Sequence, residues 1–186
     1  KKSIITAVCA ALCVVLPQAF HAIPNAALVY SPIHIPVLLC GILCGPYLGA
    51  VCGIAGPVLS SLFTGMPAAA ILPQMMIECG VYGLISGLMM KFVSTKNMYA
   101  DLYISLITAM LFGRIIAGLA KAFIFAKGEY TIAAWATVYF ATALPGIAVH
   151  LILIPAVVFA LAKAGLVPLK YSAKPNDPPT ENITVQ

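Results

Sequence analysis

Charge is what this sequence has least of. Asp, Glu, Lys and Arg together make up 8% of its 186 residues, where a soluble globular domain carries about a quarter. Water is therefore not its main solvent. Several signatures are also missing. No C-x-x-C pair occurs, so the six cysteines, Cys9, Cys13, Cys40, Cys44, Cys52 and Cys79, all inside apolar runs, read as small buried hydrophobes rather than metal or redox ligands. No G-x-x-x-x-G-K-[S/T] run occurs, so the chain cannot cradle a nucleotide in that way. The residue types for an intramembrane enzyme exist (Ser60 or Ser61, His34 or His150, Glu78), but neither G-x-S-x-G nor H-E-x-x-H accompanies them. The reading is non-enzymatic, with no cofactor and no metal.

What is there is apolar: 62% of the residues are hydrophobic and the mean hydropathy is +1.06. A spanning helix needs about 20 such residues, so this length accommodates about six spans. The runs are Ser3 to Phe20, Ile33 to Cys44, Tyr47 to Phe63, Ala70 to Phe92, Leu102 to Phe125 and Ile132 to Ala162. They predict an all-α integral membrane protein, one compact six-helix bundle over 1–171, with a polar, proline-rich and disordered tail over 172–186. The first run also resembles a secretory signal peptide, but the runs that follow need it as a packing neighbour, so it is read as a retained span. Gly45-Pro46 turns the short second run directly into the third.

The formal charge of +5 comes from basic residues at helix ends and in the tail, not from a stripe with interleaved aromatics, so nucleic acid is not an expected partner. Counting spans alternately, Lys1, Lys2, Lys91, Lys96, Lys163, Lys170 and Lys174 fall on one side, with Lys127 the exception. The positive-inside rule then makes both termini cytoplasmic and turns Asn25, Gly65 and Gly128 outward.

Small residues mark close helix approach, because lipid provides no hydrophobic drive between helices. Gly41, Gly45, Gly49 and Gly53 repeat every four residues, and Gly80, Gly83 and Gly87 line the next span. Ala7 and Ala11 share one face of the first helix, for internal packing or as a flat docking surface for another membrane subunit.

Ionisable residues within spans are expensive unless paired or hydrated. Glu78, Arg114, Lys121 and His150 are those residues. Gln74 lies one turn above Glu78, and Arg114 and Lys121 share a face roughly 10 Å apart along the axis. With His34, Trp135 and Tyr139 from other helices, Glu78, Arg114, Lys121 and Gln74 would line an outward-facing pocket of about one net positive charge, suited to a carboxylate or phosphate. The competing reading is a structural Glu78–Arg114 pair with Lys121 snorkelling outward. His150 reads as a core histidine before it reads as a ligand.

Ser31-Pro32-Ile33-His34-Ile35-Pro36-Val37, Gly45-Pro46-Tyr47-Leu48-Gly49 and Leu59-Ser60-Ser61-Leu62-Phe63-Thr64-Gly65-Met66-Pro67, with Glu78, Tyr82-Gly83, Gly113-Arg114 and Leu144-Pro145-Gly146, resemble the substrate-binding S components of energy-coupling factor (ECF) vitamin transporters. The resemblance spans all but the tail. It implies a six-helix protein of a bacterial cell membrane that binds a vitamin from outside. It further implies docking through the Ala7 and Ala11 face onto a transmembrane coupling subunit, driven by two cytoplasmic ATPases. The pattern lies nearest the pantothenate, riboflavin and folate branch. The Arg114 and Lys121 pair favours pantothenate, while an unpaired Glu78 would favour a cationic queuosine precursor or an amine. An ion-coupled secondary transporter is the alternative of a different class, but no repeat relates the two halves. The Pro24 to Ser31 loop is a candidate lid.

Overall fold

The computed structural model describes residues 1–20, 29–125 and 131–166. The expected tail over 172–186, Lys127, Lys170 and Lys174, and most of the candidate lid lie outside the described residues. Among the described residues seven α-helices follow in order: α1 Lys2–Ala19, α2 His34–Cys44, α3 Pro46–Thr64, α4 Leu72–Phe92, α5 Met98–Ala120, α6 Ile132–Ala136 and α7 Leu144–Lys163. Helix α5 runs on as a π-helical turn, Lys121–Phe125, and α6 as another, Thr137–Thr142. Among the described residues five stretches are long and apolar enough to cross a membrane: α1, α3, α4, α5 with its extension to Ile124, and α7. His34–Cys44 and Ile132–Thr142 are shorter apolar helices.

Helix α2 has 11 residues, which at 1.5 Å per residue is well short of a hydrocarbon core about 30 Å thick. Its position explains the shortness: ten of its residues, from His34 to Ile42 and Cys44, are buried, so it is a central strut rather than a lipid-facing span. Gly45 turns the chain at its end with φ +99°, a conformation that disfavours a side chain, and Pro46 opens α3, where its missing N–H costs no helical bond.

The final apolar run, expected as one span from Ile132 to Ala162, is two helices. They part at Ala143 (φ −88°, ψ 1°), just before Pro145 in the first turn of α7. Pro145 has no N–H to donate to the carbonyl one turn earlier and its ring crowds that carbonyl, so an unbroken apolar run still divides here.

Glycines set the helix spacing. A Cβ on Gly49 would overlap the Gly83 carbonyl, one on Gly83 would overlap the Gly49 carbonyl, and one on Gly53 would overlap the Cys79 carbonyl. Backbones of α3 and α4 therefore touch, and this is one of the most extensive helix pairings in the bundle, with α4 against α5 next. Gly41 packs on Gly83 and Ser86, and Gly87 packs on Gly45 and Pro46. Among the described residues a Cβ on Gly80 would meet only the Ile54 side chain, and Gly45 serves the turn rather than the stripe. All six cysteines are buried and free, and Cys13, Cys40 and Cys44 reach backbone carbonyls.

Candidate functional site

Glu78 and Tyr82 sit one turn apart on α4, and both are buried. The Tyr82 hydroxyl donates to Glu78 Oε1 at 2.9 Å and accepts from Arg114 Nε of α5 at 3.1 Å. Gly113 makes this possible, because a Cβ there would occupy the position of the Tyr82 ring. The bare backbone lets the phenol lie flat against α5 and reach the neighbouring arginine.

Arg114 is 3% exposed. Besides Tyr82, its guanidinium donates through Nη1 to the backbone carbonyl of Tyr139, in the π-helical turn after α6. It also stands 5.9 Å from the centroid of Phe140, within cation–π range. Trp135 Nε1 donates to the Arg114 carbonyl at 3.1 Å, with its indole lying over Gly118, where a Cβ would collide with it. Gln74 Nε2, from the first turn of α4, donates to the Tyr139 hydroxyl. A single arginine thus ties α4, α5 and α6 together.

The direct Glu78–Arg114 pair of the structural reading does not form: among the described residues no Glu78 oxygen lies within 4.0 Å of an arginine or lysine nitrogen. Tyr82 connects the two charges instead. Lys121, half-buried in the π-helical turn after α5, adds its positive field to that of Arg114 at Glu78. His34, at the start of α2, places Nε2 3.9 Å from Glu78 Oε1, beyond hydrogen-bond reach.

Of the residues singled out from the sequence, Glu78, Arg114, Gln74, Tyr139, Trp135 and His34 are brought into one cluster, and Lys121 flanks it. Ala7 and Ala11 stand apart from it. Both are exposed on the outer face of α1, among Ile4, Val8 and Val15, which are also exposed. Their side chains are therefore not part of the internal packing. Two cluster residues carry no site role in the sequence, Tyr82 and Phe140, and a third, His150, reads there first as a core histidine. The signal for Tyr82 was its spacing of four from Glu78, which puts both on one helix face. Among the described residues no group of three metal-ligating side chains is placed to hold an ion.

Chemically, the arrangement offers a buried guanidinium held by neutral oxygens, a carboxylate held by a phenol, and aromatic walls. Such a site can bind a small polar solute. It holds no aligned nucleophile and base: among the described residues Ser60 and Ser61 donate to the carbonyls of Met66 and Pro67, in the turn after α3.

A family model described as ECF transporter, substrate-specific component, matches residues 1–167. No curated protein and no solved structure matches the chain.

Proposed function

Because the chain belongs to the substrate-specific components of ECF transporters, multi-pass proteins of the cell membrane, we propose that the Glu78–Tyr82–Arg114 cluster is where it captures its solute. The solute class is a small anionic vitamin, with pantothenate the first choice and folate behind it; riboflavin, which carries no carboxylate or phosphate, answers the arginine less well. The observation that carries this reading is the state of Arg114. A guanidinium buried in an apolar bundle is costly unless an anion compensates it. Here its partners are the Tyr82 hydroxyl and the Tyr139 carbonyl, both uncharged. The Glu78 carboxylate reaches the guanidinium only through the Tyr82 hydroxyl, so a carboxylate or phosphate on the solute supplies the direct anionic partner, which Arg is suited to bind through two parallel hydrogen bonds. Lys121 adds long-range attraction, while Glu78, engaged by Tyr82, helps hold the arginine.

In this reading the solute enters from the outer side. The loaded protein then docks by the Ala7 and Ala11 face of α1 on a transmembrane coupling subunit powered by two cytoplasmic ATPases. The exposed stretch of small and apolar side chains on α1 supports that assignment, since it lets another helix approach closely.

The experiment is native mass spectrometry of the purified protein released gently from detergent, with Arg114→Gln in parallel and titration calorimetry against pantothenate, riboflavin and folate. The expected result is a bound anionic small molecule in the wild type and its loss in the variant. A protein that carries nothing and responds to none of the three vitamins would overturn the assignment.

A further inference from the structure

Two histidines are buried against this cluster, and among the described residues neither ring has a hydrogen-bond partner. His34 is 4% exposed and His150 1%. Nδ1 and Nε2 of both rings lack a hydrogen bond among the described residues. The backbone of Tyr30 and Ser31 lies beside His150 but outside hydrogen-bond geometry. The rings come from different helices, His34 from the start of α2 and His150 from the second turn of α7. They nevertheless converge, with centroids 6.0 Å apart and planes at 74°. His34 also meets the Tyr82 ring edge to face at 4.8 Å. Native proteins rarely bury nitrogen atoms with nothing to bond, and a group of them in one place points to a missing partner. Among the described residues no group of three metal-ligating side chains is placed here to hold an ion.

We infer that His34 and His150 form the second recognition point of the solute site, reading hydroxyl or amide groups on a molecule whose anionic group is held at Arg114. This rests on the solute-binding assignment above and adds a chemical requirement to it. A neutral imidazole offers one donor and one acceptor, so the pair offers both kinds of contact from two directions. A hydroxyl or a secondary amide can answer both; an aliphatic group can answer neither and would leave the nitrogens buried and unpaired. Tyr82 sets the spacing, because its ring faces His34 while its hydroxyl touches Arg114. The solute therefore carries its anionic group and its hydroxyl or amide groups about one tyrosine side chain apart. Sites built to bond a polar group reject the analogue lacking it far more strongly than apolar pockets discriminate by size.

The test is titration calorimetry on the full chain with three probes: pantothenate, its analogue with both hydroxyls removed, and pantothenol, which keeps the hydroxyls but lacks the carboxylate. The wild type is expected to bind the dideoxy analogue about 10- to 100-fold more weakly than pantothenate. In His150→Phe and His34→Phe that penalty collapses to within about threefold, while the penalty for pantothenol persists. Should a phenylalanine variant fail to fold, His150→Asn, which keeps a donor and an acceptor, is expected to retain most of the discrimination. A full hydroxyl penalty in folded His150→Phe and His34→Phe would overturn the inference and leave the solute-binding assignment intact. If the wild type ignores pantothenate, the variants are compared by native mass spectrometry on the molecule that co-purifies. Loss in Arg114→Gln with full retention in both histidine variants sinks the histidine pair alone, and loss in all three supports it. No bound molecule in the wild type, together with no response to riboflavin or folate, sinks both readings.

Discussion

Arg114 donates its Nε proton to the hydroxyl of Tyr82 at 3.1 Å. The same hydroxyl gives its own proton to Glu78, so one oxygen serves a buried cation and a buried carboxylate at once. Tyr82→Phe keeps the ring and removes that oxygen. It is expected to lower stability by about 1–3 kcal/mol, because two buried charged groups each lose a partner. Thermal unfolding in detergent, with and without solute, measures this. Unchanged melting in both conditions would show that the hydroxyl is dispensable.

Gly113 tests the same geometry from the other side. Gly113→Ala places a methyl group where the Tyr82 ring lies, so the phenol must swing away from Arg114. Solute affinity is expected to fall about tenfold, in line with the loss of one hydrogen bond to a charged group. Calorimetry on the folded variant gives the answer, and wild-type affinity would mean that the ring can move without consequence.

The α3–α4 contact predicts a purely structural defect. Gly53→Ala and Gly83→Ala force backbones apart and are expected to cost about 1–3 kcal/mol each through overpacking. Gly80→Ala, facing only the Ile54 side chain at contact distances of 3.2 and 3.7 Å, is expected to cost less than either. Melting temperatures of the three variants should fall in that order.

The proposed docking face on α1 predicts a defect separable from solute binding. Ala7→Trp and Ala11→Trp add bulk to the exposed face of α1, away from Arg114 and Tyr82. Each is expected to abolish co-purification with the coupling subunit from membranes while leaving solute affinity within about twofold of wild type, as expected for distant, independent sites. Intact co-purification of both variants would move the docking surface elsewhere.

Much of this architecture is visible in the sequence because burial in lipid leaves so little freedom. A run of apolar residues broken by Thr64-Gly65-Met66-Pro67 or Ser94-Thr95-Lys96-Asn97 has few alternatives to a helix ending there, and the ends fall at Thr64 and Phe92. The division at Ala143 is harder to see, since hydropathy is continuous through it and only Pro145 signals the change of path. Charged residues in spans are conspicuous, so Glu78 and Arg114 stand out. Tyr82 does not, because a tyrosine in an apolar helix has several uses, and only the approach of α5 at Gly113 gives its hydroxyl two partners. The state of His150 is hidden for a related reason: whether a buried histidine is satisfied depends on which helix faces it, and here α2 brings the His34 ring without a hydrogen bond between the two.

The contact between Gly49 and Gly83 has a genetic consequence. Every missense change at either codon adds at least one carbon, and that carbon meets the other residue's carbonyl rather than a side chain that could turn aside. Second-site suppression usually works by shrinking the neighbour, but here the neighbour is already glycine. A lesion at one position therefore has no intragenic remedy at the other, and reversion at the codon itself is the simplest route back.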